Sequence, residues 1–234
     1  MIKIGILLCG DIPPNLIEEF GDYASCLRSQ LNLNRYGDVT IWNVHETSEL
    51  PEHTDICDVY VIGGSPVGVN DGLDWIHALT GFIRNAFCKG KKLLGICFGH
   101  QIIHHALGGV VIRSPKGWGI GSYSVTFIQD FEKIKTGMSL SLLAMHQDQV
   151  IKPAEFFNVV AGNDFCPNYI TRFKKQVLTI QGHPEFSFPF FSALLNQRKD
   201  ILSQQNSKNP FEKGNCVADS IYFNNIINLF IFER

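Results

Sequence analysis

Cys97 lies in a glycine-flanked segment of the kind that presents a nucleophile on a sharp turn. The segment Gly95–Gly99 closes the apolar run Lys92–Ile96, and a helical pattern begins at about His100. Small neighbours two positions before and after the cysteine permit the strained strand-to-helix turn that exposes a reactive side chain. A thiol at a helix N-terminus also lies at the positive end of the helix dipole, which favours the thiolate. We therefore expect Cys97 to be a nucleophile, the alternative being a buried structural cysteine.

A cysteine nucleophile needs a base, and His183 is the best candidate. It comes just after the predicted strand Val177–Gln181, and Glu185 follows two positions later. Residues i and i+2 of an extended backbone point to the same side, so the carboxylate can hold the imidazole in one tautomer. Pro184 between them fixes φ and stiffens the pair.

Three other histidines, His100, His104 and His105, are rivals to His183 only by their closeness to Cys97 in the sequence. On a helix after Cys97, His104 and His105 point away from the turn, so we assign both to packing. The histidines lack the spacing with cysteines or carboxylates that a closed metal site needs. No phosphate-binding glycine motif is present either. We expect no metal site and no cofactor.

Acyl transfer also requires donors for a developing oxyanion. The apolar run Val59–Ile62 leads into the turn Gly63–Pro66, where a glycine lets a backbone N–H point outward without a side chain in the way. The N–H of Phe98, directly after the candidate nucleophile, would be the second donor. A plain structural turn is the alternative at Gly63–Pro66.

Strands and helices alternate along the first half of the chain. This order predicts an α/β fold with a mostly parallel central sheet flanked by helices on both faces. We read residues 1–234 as one domain, since no linker or repeat divides them. The predicted strands are Ile2–Leu8, Val39–Val44, Val59–Ile62, Lys92–Ile96, Val110–Arg113, Gly121–Phe127, Asn158–Gly162 and Val177–Gln181. The predicted helices are Leu16–Leu33, Trp75–Phe87, Gln101–Leu107 and Asp219–Ile231.

Three motifs together resemble class I glutamine amidotransferases. They are Gly63-Gly64-Ser65-Pro66, Gly95-Ile96-Cys97-Phe98-Gly99-His100-Gln101 and Gly182-His183-Pro184-Glu185, and the similarity covers most of residues 1–190. Their order and separations match as well. The resemblance implies a flavodoxin-like sheet with a small antiparallel addition. It also implies a Cys97–His183–Glu185 triad that cleaves a γ-glutamyl amide, with oxyanion donors at Gly64 and Phe98.

The resemblance further implies contacts to the substrate. Gln101 matches a position that contacts glutamine, and the segment Met145–Asp148, with His146 and Gln147, resembles a loop that holds the α-amino and α-carboxylate groups. The closest likeness is to stand-alone members similar to the amidotransferase domain of GMP synthase and to γ-glutamyl peptidases, supported by Gly21-Asp22-Tyr23 in the first predicted helix. Gly119 departs from the pattern, because relatives often carry an acidic residue there.

Bulk composition excludes several partners. A formal charge of -2 and a sequence pI near 6.4 give no reason to expect nucleic acid or an anionic membrane as partner. The apolar run Ile4–Cys9 is too short for a membrane span. Seven cysteines without a CxxC pair fit a reducing cytosol, so we expect a cytoplasmic protein.

Two functional alternatives stay open beside a glutamine-hydrolysing enzyme. One is a γ-glutamyl peptidase that acts on γ-glutamyl peptides or conjugates without a synthase partner. It is favoured because nothing after residue 190 resembles a synthetase domain, so any ammonia acceptor would be a separate protein. The other is a non-catalytic regulatory protein with the same fold. The expected partner in both enzymatic cases is a small-molecule γ-glutamyl substrate.

Overall fold

A computed structural model of the chain describes residues 1–35, 37–198 and 216–232. The strands are β1 Ile2–Leu8, β2 Gly37–Asn43, β3 Val59–Ile62, β4 Lys92–Ile96, β5 Val110–Arg113, β6 Gly119–Phe127, β7 Ser139–His146, β8 Asp148–Lys152, β9 Asn158–Gly162, β10 Ile170–Phe173 and β11 Val177–Ile180. The helices are α1 Pro14–Phe20, α2 Tyr23–Gln30, α3 Val44–Thr47, α4 Asp74–Cys88, α5 Phe98–Ala106, α6 Phe188–Gln197 and α7 Cys216–Phe232. None of the helices within the described residues is long and apolar enough to cross a bilayer.

The central sheet has, within the described residues, nine strands in the order β2-β1-β3-β4-β11-β10-β9-β6-β7. The first five strands in this order, β2, β1, β3, β4 and β11, pair in parallel, as expected for strands linked by helices. The remaining strands continue the same sheet in antiparallel fashion. The α/β fold is therefore confirmed, and its antiparallel part is larger than expected: it adds four strands to the sheet, while β5 and β8 form a separate antiparallel pair.

Each face of the sheet carries its own layer of buried side chains. On one face Leu94 and Ile96 of β4 belong to a cluster with residues of α2, α6 and α7. On the other face Leu93 packs in a second cluster that includes residues of α4 and α5. Alternate residues of a strand point to opposite faces, so β4, which is buried from Leu93 to Ile96, is covered by helices on both sides.

The prediction of one continuous helix over Leu16–Leu33 is wrong. The segment predicted as the single helix Leu16–Leu33 is two helices, α1 and α2, separated at Gly21 and Asp22. Gly21 adopts φ 78°, a conformation that glycine reaches without steric cost, and the Asp22 side chain accepts the N–H of Ser25 as an N-cap. Tyr23 therefore begins a new helix instead of continuing the first one.

Five elements lie where the sequence predicts none of their kind: β7, β8, β10, α6 and the short helix α3. The segment Met145–Asp148, expected to be a loop, comprises the end of β7, Gln147 and the start of β8. Helix α6 begins with Ser187 as N-cap and Pro189 in its first turn, where a missing N–H is tolerated.

The parallel strands deliver the motif residues to one edge of the sheet. Ile62 of β3 lies opposite Gly95 of β4, and Ile96 lies opposite Ile180 of β11. The segments that follow these three neighbouring strands therefore emerge side by side, beyond the carboxyl ends where ligands bind in open α/β sheets.

Gly99→Ala tests how closely this edge is packed. A Cβ at residue 99 would collide with the main-chain carbonyl of Ile62, so we expect a loss of about 1–3 kcal/mol in the free energy of unfolding. The matched control is Gly81→Ala in α4, where a new Cβ meets nothing within 4 Å. That variant should be stabilised by about 0.5–1 kcal/mol, because alanine is the better helix former. Urea unfolding of both variants provides the measurement, and equal stabilities would contradict the prediction.

Candidate active site

Cys97 occupies a strained turn between β4 and α5. Its backbone has φ 54° and ψ -101°, which is rare for a residue with a side chain. The N–H of Cys97 donates to the carbonyl of Ile180 at 2.8 Å, so the turn continues the ladder with β11. The side chain is only 6% exposed and lines a pocket. This geometry agrees with the elbow expected from the flanking glycines.

The glycines on either side of Cys97 are required by close backbone contacts. A Cβ on Gly95 would meet the carbonyl of Gly99, and one on Gly99 would meet that of Ile62. The N–H of Gly99 also donates to the carbonyl of Gly63 at 3.1 Å. The start of α5 is therefore held directly against the turn that follows β3.

His183 and Glu185 form a buried pair beside Cys97. His183 Nδ1 lies 2.7 Å from Glu185 Oε1, and Glu185 is fully buried. The two residues lie in a turn in which the N–H of Phe186 donates to the carbonyl of His183, so the extended backbone assumed from the sequence is wrong. The Phe186 ring stacks on the His183 ring, with the ring centroids 4.0 Å apart and an angle of 5° between the ring planes. The imidazole is thus fixed by a hydrogen bond at one edge and a ring on one face.

Opposing influences set the protonation of His183. Burial lowers the pKa of this imidazole, but the negative charges of Glu185 and of a Cys97 thiolate, with hydrogen bonds to both, raise it to about 10. At neutral pH His183 is therefore protonated, as the partner of a thiolate should be.

Tyr23 connects this pair to the glycine turn. Its hydroxyl donates to Glu185 Oε1 at 2.9 Å and accepts the N–H of Gly64 at 2.8 Å. Burial raises the pKa of Tyr23 well above its usual range, so the hydroxyl keeps its proton. This contact has no signal in the sequence, because the pattern Leu16–Leu33 predicts one continuous helix through Tyr23.

The two expected oxyanion donors, Gly64 and Phe98, both lie next to Cys97. Gly64 approaches both Cys97 and His183: a Cβ there would be 3.9 Å from the Cys97 Cβ and 3.1 Å from His183 Cε1. Its N–H, however, donates to Tyr23 in this structure. Phe98 begins α5, and the first N–H groups of a helix have no intrahelical acceptor.

The residues expected to contact substrate lie apart from the pocket on which Cys97 opens. Gln101 is buried, and its amide donates to the Asp148 carbonyl at 2.9 Å and to Gln181 Oε1 at 3.3 Å. Gln181 in turn points its amide at Cys97 Sγ, 3.8 Å away. His146 is buried with Nδ1 on the Asp148 carbonyl, and Gln147 is half-buried. None of Gln101, His146 and Gln147 lines the pocket.

Gly119 has no room for a side chain. A Cβ there would lie 2.5 Å from the Phe165 ring and 2.9 Å from His146 Nε2. The rings of Phe165 and His146, with centroids 5.9 Å apart, fill the space beside Gly119.

The rival histidines are structural. His100 Nδ1 bonds Thr179 at 2.7 Å and His104 Nε2 bonds Thr171 at 2.8 Å, both within the core. Burial lowers the pKa of His104 to about 3, so it stays neutral. His105 is half-buried.

Within the described residues, one group of side chains could hold a metal ion, although the spacing of the histidines in the sequence predicts no metal site. Asp11, His45 and Glu46 bring one ligand atom each to within 4.8 Å of one another. His45 Nε2 already bonds Asp11 Oδ2 at 2.8 Å, and both carboxylates are exposed. A surface hydrogen bond accounts for this arrangement.

The pocket at Cys97 includes residues that no motif indicated. Its described lining comprises Gly10, Asp11, Ile12, Pro13, Tyr23, Gly64, Ser65, Pro66, Cys97, Met145, His183, Phe186, Phe190, Leu194 and Arg198. About 530 Å³ of space, part of it open to solvent, lies between these walls, within the range of small-molecule sites. The walls formed by the segment after β1 and by α6 carry no local signal in the sequence, because their place at the pocket depends on how these segments pack against the sheet.

Comparison with known proteins adds independent information. A family model described as glutamine amidotransferase class-I matches residues 19–196. A glutamine amidotransferase-like protein of Schizosaccharomyces pombe is 28% identical over 242 residues, covering 97% of this chain and 98% of that protein. Gamma-glutamyl peptidase 2 of Arabidopsis thaliana is 36% identical over 148 residues, which span 59% of this chain and 58% of the peptidase.

The fold is shared with solved structures. A glutamine amidotransferase from Thermotoga maritima superposes with a TM-score of 0.78 over 100% of both chains at 17% sequence identity. At that identity the likeness concerns the arrangement of the strands and helices.

Glu185→Gln tests the origin of the His183 charge. The substitution removes the anion and keeps the side-chain size, so we expect the pKa of His183 to fall from about 10. Because that pKa lies above the ordinary 6.5, the pair contributes stability that is complete below pH 6.5 and is lost as the pH rises towards 10. NMR titration of labelled histidine and pH-dependent unfolding report the two effects. An unchanged His183 pKa in Glu185→Gln would contradict this account. The control is Glu132→Gln, which removes the carboxylate of a half-buried ion pair.

Proposed function

The chain belongs to the class I glutamine amidotransferase family, and we propose that it is a cysteine hydrolase of γ-glutamyl amides. The substrate is glutamine or a related γ-glutamyl compound, cleaved through a γ-glutamyl thioester on Cys97. The observation that carries the proposal is the meeting of a strained Cys97 turn with the buried His183–Glu185 pair in one pocket. Such a nucleophile, base and orienting carboxylate are the parts that acyl transfer requires.

The proposed reaction proceeds in two stages. The Cys97 thiolate attacks the γ-carbonyl carbon, and the oxygen becomes an oxyanion. When the C–N bond breaks, His183 gives its proton to the departing nitrogen and the thioester remains. His183 then takes a proton from water, the resulting hydroxide adds to the thioester carbon, and glutamate leaves as Cys97 recovers its thiolate. Glu185 stabilises the imidazolium at each stage.

We propose Gly64 and Phe98 as the oxyanion donors. The Gly64 N–H lies next to the site but is held by the Tyr23 hydroxyl, so it must turn from Tyr23 to the oxyanion as negative charge develops. Tyr23 also donates to Glu185. In this role Tyr23 is a positioning residue, since it sets both the glycine turn and the carboxylate without touching the reacting atoms.

γ-Glutamyl peptidase activity is the second candidate, and the similarity to gamma-glutamyl peptidase 2 favours it. The two candidates differ only in the group that leaves the γ-carbonyl: ammonia from glutamine, an amino compound from a peptide. A separate synthase that takes up the ammonia belongs to the first candidate. Ammonia release that rises sharply when such a protein is added would support it.

Cys97→Ala tests the nucleophile. We expect hydrolysis of glutamine and γ-glutamyl peptides to fall by about 10⁴-fold or more, because the thioester cannot form. A glutamine chloromethyl ketone analogue should add to Cys97 of the wild-type protein, as detected by mass spectrometry.

Cys57→Ala is the matched control, since Cys57 is also buried but precedes β3, at the opposite edge of the sheet. Its turnover should equal that of the wild type. Turnover of Cys97→Ala near the wild-type rate would refute the hydrolase assignment. No adduct on Cys97 and no turnover by wild type would instead favour a non-catalytic regulatory protein.

Tyr23→Phe tests the positioning role. Loss of two hydrogen bonds at the site should lower kcat by on the order of tenfold, with a smaller change in KM, and should shift the pH profile of kcat. Tyr60→Phe is the control, because that buried hydroxyl also makes two hydrogen bonds, to Cys57 and Thr54, away from the pocket. Equal effects of both variants on kcat and its pH profile would show that Tyr23 is merely structural.

A further inference from the structure

One wall of the Cys97 pocket is built by the segment that follows the candidate base. Phe186 stacks on His183, Phe190 packs edge-on against Phe186 at 4.9 Å, and Leu194 follows one turn later on α6. Arg198 lies at the end of the same helix and also lines the pocket. The wall is thus apolar along its length and positively charged at its far end.

This wall lies on the side of the leaving group. In the proposed reaction His183 must face the departing nitrogen, because it donates the proton to that atom. Phe186 is in contact with His183, so the surface that continues from Phe186 to Arg198 is where a group attached to that nitrogen would lie. The residues expected to hold the γ-glutamyl part, among them Gln101 and His146, do not line this pocket.

Among the described residues Arg198 finds little compensation for a partly buried cation. Its recorded polar contact within the described part of the chain is Nη1 to the Met145 sulfur at 3.4 Å, a weak acceptor. Burial lowers the pKa of Arg198, and negative charge on Cys97 raises it, which indicates that the guanidinium lies within electrostatic reach of the nucleophile. Asp11 lines the pocket too, but its carboxylate bonds His45.

The partly buried guanidinium of Arg198 is suited to binding a carboxylate. Its planar fork of N–H donors binds a carboxylate through two parallel hydrogen bonds, and partial removal from water strengthens such a pair. Among the described lining residues Arg198 is the sole arginine or lysine, and the other cation, His183, is already paired with Glu185. The adjoining Phe190 and Leu194 offer contact to an apolar side chain.

We propose that Arg198 binds a free carboxylate on the leaving group, which makes γ-glutamyl amino acids or short γ-glutamyl peptides the preferred substrates. This inference rests on the proposed hydrolase function and selects its peptidase form. The bond between the γ-carbonyl carbon and the amide nitrogen breaks, His183 protonates the nitrogen, and the amino acid departs with its carboxylate released from Arg198. Glutamine gives ammonia, which reaches neither Arg198 nor the apolar wall.

The test compares γ-glutamyl-leucine with γ-glutamyl-leucinamide, which differ only in the charge of the leaving group, and with glutamine. We expect wild type to prefer the free acid in kcat/KM by on the order of tenfold or more, as for a hydrogen bond to a charged group. In Arg198→Met this preference should shrink to about twofold or less. Arg198→Lys should restore part of it, since the charge returns without the planar fork.

Arg28→Met is the matched control, because Arg28 contacts Asn34 and lies outside the pocket lining. It should keep the wild-type preference. No preference in wild type, or an equal loss for acid and amide in Arg198→Met, would overturn the subsite. Hydrolysis of glutamine but of neither peptide would overturn it too, while leaving the hydrolase proposal intact. Failure of wild type on all three substrates would refute the proposed function and this inference with it.

Discussion

The parallel pairing of β4 with β3 on one side and β11 on the other fixes the positions of the three motif segments of the candidate site. Hydrogen-bonded register leaves no freedom along the strands, so the segments after Ile62, Ile96 and Ile180 must emerge together. The contact between Gly99 and the carbonyl of Gly63, and that between Cys97 and Ile180, extend this constraint into the turns. The strained backbone of Cys97 persists because these neighbours hold it on both sides.

A second constraint comes from burying charge. Glu185 is fully buried, and its Oε2 has no hydrogen-bond partner among the residues that the structure describes, so its carboxylate depends on the donors at Oε1. Tyr23 and His183 supply them, and the thiol of Cys26 donates to the Glu185 carbonyl at 3.1 Å. Because a buried carboxylate is costly without partners, the docking of α2 and the ionisation of the site depend on each other.

The sequence predicts the elements whose signals are local. Strands β1, β3 and β4 have the predicted bounds because each is a short β-branched or apolar run between turn residues. The helix break was missed because the apolar spacing continues across Gly21 while its φ of 78° interrupts the backbone. Arg198 carries no local signal at all, since its place in the pocket depends on how α6 packs. Likewise Cys97, His183 and Glu185 were indicated by motifs, whereas the contact of Tyr23 with Glu185 joins residues 162 positions apart.

The position of β11 in the sheet has a consequence for how the molecule forms. This strand comes last in the sequence of the sheet, yet it inserts between β4 and β10 and carries His183 and Glu185 just beyond its end. Its partner β4 lies more than 80 residues earlier, so their pairing closes a long loop and belongs to the slow, non-local part of folding. A chain emerging from the ribosome thus has Cys97 long before it has His183 and Glu185. The proposed triad can assemble only once β11 has paired with β4.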